Sequence, residues 1–181
     1  TQQLAKNVFL DNEKTYTRKI KEVILAIQIE QTYSKDEILE IYLNENNYGN
    51  LAYGIEAAAE TYFNTTADQL DLAKASFLAG LPQAPAIYDI FSNPEASLLR
   101  HLDVLNLMYV LSSERDCIPT PKTPVCVPLN NAVAAAQEIE DYDFERRLIS
   151  MPYPHWVNFI RTKLEEQFDQ QTIYRSGFKV Y

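Results

Sequence analysis

The chain has 181 residues, 46% of them hydrophobic, with 4 glycines and 2 cysteines. That content suffices for one globular core and excludes fibrous, disordered and disulfide-framework classes. A formal net charge of -9 argues against a general nucleic-acid-binding or anionic-membrane surface.

The average hides an asymmetry. Lys6, Lys14, Arg18, Lys19 and Lys21 crowd the start of the chain against Asp11, Glu13 and Glu22, enough positive potential to hold one anionic ligand. No apolar run approaches the roughly 20 residues that a membrane-spanning helix needs, and no stretch of the sequence reads as a signal peptide. The chain opens without Met and closes on the extended-looking Gly177 to Tyr181, so it reads as part of something longer.

Helical periodicity dominates from end to end, which predicts an all-α fold. Thr15 or Thr17 caps a first helix running to about Thr32, with Ile20, Val23, Ile24 and Ile27 in one apolar stripe. Ser34 and Glu37 form a capping box for a second helix carrying Ile38, Leu39, Ile41, Tyr42 and Leu43. It ends in the polar run from Asn44, where Gly49 takes positive φ. Short helices follow from Ile55 to Tyr62 and from Leu72 to Ala79, the latter capped by Asp71 and stopped by Gly80 and Pro82. Asn93 as N-cap and Pro94 at the first helical position start a longer helix to about Ser112, packed through Leu98, Leu102, Leu105 and Met108. Pro119, Pro121, Pro124 and Pro128 make 113–130 a loop. Weaker helices cover Ala132 to Glu140 and His155 to Phe168.

At ~100° per residue, Lys14, Arg18, Lys21 and Glu22 fall on the face of the first helix opposite its isoleucines. A cationic stripe containing one carboxylate is what a diphosphate needs, in binding and as a departing group. A solvated helix face is the plainer reading, because i,i+4 pairs such as Arg18 with Glu22 contribute only a few tenths of a kcal/mol.

Three segments in close order alter that weighting: TQQLAKN (Thr1 to Asn7), RKIKE (Arg18 to Glu22) and KDEILEIYLN (Lys35 to Asn44). They resemble the second, third and fourth motifs of the peptidoglycan glycosyltransferases of family 51, found in bifunctional class A penicillin-binding proteins and their monofunctional relatives. The stretch from Asn47 to Asn64 and LAGLPQAPAIYD (Leu78 to Asp89) follow the same pattern, with Asn50 a mild departure.

The resemblance implies a lysozyme-like helical domain over 1–170 that lacks the family's first motif. It also implies a short strand over 171–181 entering a linker towards a transpeptidase domain. It implies polymerisation of lipid II into β-1,4 glycan strands: an acceptor 4-hydroxyl attacks the donor's anomeric carbon with inversion and displaces undecaprenyl diphosphate. Glu22 takes the place of a catalytic carboxylate. Gln2, Gln3, Lys6, Lys14, Arg18, Lys19 and Lys21 take those of the donor cleft, and Lys35, Glu40, Tyr42 and Asn44 belong to a supporting motif in which Glu40 and Asn44 anchor backbone groups.

The family's usual general base, a glutamate of the first motif, has no counterpart here, so the chain alone is expected to be inactive. No cofactor is required and no protein metal site is expected, though a divalent cation such as Mg or Mn can accompany the diphosphate. Partners implied are lipid II, the growing strand, the membrane surface and the cell-wall synthesis machinery, with no nucleic acid. The location implied is the extracytoplasmic face of the bacterial cytoplasmic membrane, with an N-terminal anchoring helix outside this sequence. Moenomycin is implied as a donor-site competitor.

Phe9 and Leu10 lie where relatives dip into the bilayer surface, and core burial is an equal alternative. Cys117 and Cys126 flank the proline-rich loop at a spacing that can support a disulfide in an oxidising compartment. Two other classes stay open: a lysozyme-like muramidase, for which a cationic stripe has no use, and a non-catalytic helical cell-wall-binding domain.

Overall fold

A computed structural model describes residues 1–9, 15–120, 123–146 and 153–168. Eight α-helices carry the described residues: α1 Gln2–Phe9, α2 Tyr16–Thr32, α3 Lys35–Glu45, α4 Ile55–Phe63, α5 Leu72–Gly80, α6 Pro94–Arg115, α7 Leu129–Glu140 and α8 Pro154–Glu165. Among them, pairing outside helices is confined to the isolated bridges Asn47–Tyr53 and Ile118–Val125. The strand expected over 171–181 lies outside the described residues.

The helix boundaries follow local chemistry. The Thr15 side chain accepts from Arg18 N at the start of α2, and Ser34 with Glu37 completes a reciprocal capping box on α3, satisfying amides a helix start leaves open. Asp71 caps α5 by accepting from Lys74 N. Asn93 does not cap with its side chain: its Nδ2 donates instead to the Ile87 carbonyl, and Pro94 starts α6 at a position where its missing N–H costs nothing.

The chain divides into two units, 1–146 and 147–181. Within the first, two apolar clusters form. Leu4, Ala5, Ile29 and Ile38 join α1, α2 and α3. A larger core gathers α4 to α7 around Phe77, Leu78, Leu81, Leu105 and Ile139.

The loop from α3 to α4 is held to the larger core through Tyr62 on α4, whose OH donates to the Tyr48 carbonyl and accepts from Asn50 Nδ2. Gly54, at φ +84, is required there because a Cβ would stand 2.9 Å from the Asn44 carbonyl oxygen. In the second unit, α8 stacks Trp156 on Phe159 with ring centroids 5.5 Å apart.

The core stripe of α6 is rotated from the expected one. Leu105 is buried, with Leu98 and Met108 packed beside it, but Leu102 is exposed, and His101 with Ser97 and Ser112 takes the inward places. His101 Nε2 lies 2.8 Å from Ser76 Oγ. Burial pushes the imidazole down to about 4, against the opposing pull of a hydrogen bond to the Ala73 backbone, so it is neutral in the folded protein at neutral pH.

A histidine charged only in the unfolded chain favours unfolding as the medium acidifies. Its contribution to stability is therefore complete above its ordinary value of 6.5 and is lost as the pH falls towards about 4. We expect denaturant stability to drop by up to about 3 kcal/mol over that interval. The slope should become shallower in His101→Gln, as checked by urea unfolding at successive pH values, with the remainder owed to carboxylates such as Glu37 and Asp71 that are also held below their ordinary values.

Cys117 and Cys126 form a disulfide. Ile118 and Val125 exchange backbone hydrogen bonds inside it, and Val127 N donates to Ser112 Oγ on α6. Opening a closed loop of that size releases about 2 to 3 kcal/mol of unfolded-state constraint. The Cys117→Ser, Cys126→Ser variant should lose that much in urea unfolding yet keep its helices, because Val127 remains bonded and in the core.

Candidate functional site

α1 and α2 lie against each other through Leu4, Ala5 and Ile29. On α2 the inward positions run Arg18, Glu22, Ala26, Ile29, spaced by four and three residues, so the seam ends in a charged cluster. Glu22 is 4% exposed. Lys19 Nζ donates to its Oε1 at 2.6 Å and Arg18 Nη1 to its Oε2 at 3.3 Å. From α1, Gln2 Oε1 accepts from the same Lys19 Nζ at 3.3 Å.

The hydrogen bond from Lys19 draws the Glu22 carboxyl below its ordinary value. Burial opposes this, and the charges of Lys19, Arg18 and Lys6 reinforce it. Glu22 is therefore a carboxylate at neutral pH, held between cations.

The Lys19 side chain stays 57% exposed while that of Arg18 is 18% exposed. Arg18 Nε is buried with no hydrogen-bond partner among the described residues. The cluster thus holds a guanidinium and an ammonium in fixed relation with donor capacity to spare, an arrangement that suits a multiply charged oxyanion.

The remaining expected site residues divide. Gln3 turns away from the cluster towards Tyr42, whose OH donates to Gln3 Oε1 at 3.5 Å. Both line an open cleft of about 850 Å³ with Thr1, Tyr33, Lys35 and Leu39. Lys21, expected on the face of Glu22, is exposed, and Lys19 takes the partner's place. Lys14 and Leu10 lie outside the described residues, as does the side chain of Phe9.

Glu40 and Asn44 of the supporting motif are exposed side chains. In the loop that follows, Asn47 Oδ1 accepts from Gly49 N at 2.8 Å. Glu56 accepts from Ala67 N and so braces a turn.

Sequence reasoning missed α1 as a helix, and with it the link from Gln2 to Lys19. Four-residue spacing of Gln2 and Lys6 was the available signal, but 8 residues are too few for periodicity to decide.

A sequence profile of the Transglycosylase family matches residues 1–109. Penicillin-binding protein 1A of Neisseria gonorrhoeae is 40% identical over 185 residues, covering 100% of this chain and 21% of that protein. Its namesake in Aquifex aeolicus (strain VF5) is 53% identical over 108 residues, covering 60% of this chain and 15% of that protein. The chain thus spans about a fifth of the length of the curated relatives it matches along its full extent.

The crystal structure of penicillin-binding protein 1A from Haemophilus influenzae shares the fold, with a TM-score of 0.54 at 23% identity over 94% of this chain and 20% of that one. A helical fold of that kind, and the family profile over the segment that builds the Glu22 cluster, lead to one assignment: the chain belongs to the transglycosylase family, the glycosyltransferases of peptidoglycan.

Proposed function

We propose that the Glu22 cluster is the donor-diphosphate site of a lipid II polymerase. The observation that carries this reading is the meeting of Gln2 from TQQLAKN with Arg18, Lys19 and Glu22 from RKIKE at one point. In the proposed reaction the acceptor 4-hydroxyl oxygen bonds to the donor's anomeric carbon with inversion. The bond from that carbon to the diphosphate oxygen breaks, and the hydroxyl proton passes to a general base.

Arg18, Lys19 and Lys6 offset the charge growing on the leaving oxygen, with Gln2 steadying Lys19 and Lys14 adding a further cation. Glu22 keeps Arg18 and Lys19 in place. A carboxylate drawn down between two cations is poorly suited to take up a proton, and the base is proposed to come from a segment outside this sequence. The same feature disfavours a muramidase, which needs a protonated acid at its cleft.

Among the described residues there is no group of three or more acidic, His or Cys side chains to hold a metal, and Glu22 is occupied by cations. Any divalent ion is proposed to arrive with the diphosphate. The disulfide suits an oxidising, extracytoplasmic location, and a membrane anchor and a transpeptidase domain are proposed for the remaining length.

The test is polymerisation of labelled lipid II by a polypeptide carrying this chain together with the base-bearing segment, beside the chain alone. Moenomycin-sensitive strands are expected from the longer polypeptide only. Absence of strands from both would leave the reading without support.

A further inference from the structure

α6 buries the wrong residues for a helix chosen by hydrophobicity. Of the four it buries, Ser97, His101, Leu105 and Ser112, three are polar. Leu99, Leu102, Leu107 and Val110 are spread, at ~100° per residue, around the rest of its circumference. Apolar burial selects a helix rotation when one face is distinctly apolar, and α6 has no such face. The stripe Leu98, Leu102, Leu105, Met108 is centred only about 40° from the buried one and would bury leucines in place of hydroxyls. Directional contacts must hold the rotation observed.

Three such contacts are present. His101 Nε2 lies 2.8 Å from Ser76 Oγ on α5, and that hydroxyl is itself oriented by donating to the Ala73 carbonyl at 3.1 Å. Beside His101, Arg100 Nε donates to the Gly80 carbonyl at 3.3 Å, at the C-terminal end of α5, where a cation is favoured. Its guanidinium carbon lies 5.7 Å from the centre of the Tyr88 ring. Gly80 admits that approach, since a Cβ there would stand 3.1 Å from Arg100 Cγ. About 17 Å further along α6, Ser112 Oγ accepts from Val127 N at 2.8 Å. The rotation is held against a cost: Ser97 Oγ is carried inward with no hydrogen-bond partner among the described residues, and its lost hydration goes uncompensated.

We propose that Ser76 with His101, Gly80 with Arg100 and Ser112 with Val127 form a register lock, which selects one of two closely competing rotations of α6 at the expense of apolar burial. A single buried polar contact can select register among apolar alternatives in helical assemblies. With the lock closed, Arg100 stays on the last carbonyl of α5 and over Tyr88, so the rotation of α6 also fixes the turn that joins the two helices. With it open, Leu102 moves inward and His101 outward. Every contact in the lock is internal to 1–146, and none depends on what a longer polypeptide lays over its surface.

The experiment places one thiol on the whole chain, by Ser97→Cys or by Leu102→Cys, with the native cysteines held in their disulfide. Modification by a maleimide is timed under native conditions and normalised to the urea-unfolded chain. In the otherwise unchanged chain, position 97 is 1% exposed and position 102 is 48% exposed, so the thiol at 97 should react at least a hundredfold more slowly. Ser76→Ala with Ser112→Ala should turn the pattern over, slowing reaction at 102 and quickening it at 97, each at least tenfold, with ellipticity at 222 nm unchanged. Ser76→Ala with His101→Leu should keep the original pattern, because leucine fills the inward place and needs no partner.

Unchanged rates in the first variant would mean that packing alone sets the rotation. Fast reaction at both positions would mean that the contacts serve folding and not the choice of rotation. A reversed pattern in the second variant would trace the change to the missing Ser76 hydroxyl and not to a stranded imidazole. Each of these results would overturn the proposal.

Discussion

Glu22→Gln, made in a polypeptide that carries this chain with the base-bearing segment, is expected to lower lipid II polymerisation at least a hundredfold, on the order of what a lost preorganised electrostatic contact costs. The amide keeps the size of the side chain and can still accept one hydrogen bond. It cannot neutralise Lys19, 2.6 Å from one carboxylate oxygen, and Arg18, 3.3 Å from the other, together. The two cations then repel across the vacated charge, Lys19 swings towards solvent, and the diphosphate loses a prearranged partner.

The helix itself should persist, because α2 is held to its neighbours by Ile29 against Leu4, Ala5 and Ile38, none of which the substitution touches. Helicity by circular dichroism should match wild type while glycan strands disappear from the labelled assay. Turnover near the wild-type rate would remove Glu22 from the site.

The largest stability effect should come from Phe77→Ala. Phe77 is fully buried on α5 and is ringed by Tyr62, Phe63, His101 and Phe144 at centroid distances of 6.0, 5.7, 5.9 and 5.2 Å. Its neighbours come from several elements that already pack on one another, so they cannot all move inward to fill the void. A cost of about 3 to 5 kcal/mol is expected, a large share of the roughly 5 to 15 kcal/mol that holds a domain folded. Urea unfolding followed at 222 nm should show it as a much lower midpoint. Leu107→Ala, exposed on α6, should change stability by less than about 0.5 kcal/mol. Equal effects at the two positions would contradict the core described here.

Helix ends were the readable part of this chain. The capping box of Ser34 and Glu37, the caps at Thr15 and Asp71, the start at Pro94 and the positive φ of Gly49 all appear at their expected positions. Each depends on atoms within about four residues, and the donors left open at a helix start are the same in any fold. The motif residues were readable as types, since Arg18, Lys19 and Glu22 are neighbours on one helix.

Rotation of a helix about its axis was not readable. Leu102 and His101 are adjacent in sequence, and periodicity favours the leucine for the core. The neutral imidazole is nevertheless the buried one, because Ser76 on α5 stands where it can pair with the ring, and a satisfied polar group can be buried at little cost.

By itself, then, the sequence determined that the chain is helical, where the helices with strong local caps begin, and which residue types it offers an anion. Only the tertiary structure decided that Glu22 faces α1 while Ile20, Ile24 and Ile27 face outward, that Lys19 rather than Lys21 completes the cluster, and that Gln2 reaches it from 17 residues away. The physical reason is one of range: caps and i,i+4 pairs are settled within a turn of helix. Which face of α2 is covered depends on what α1 and α3 bring against it, and two amphipathic readings of one helix differ only by a rotation that no local interaction resolves.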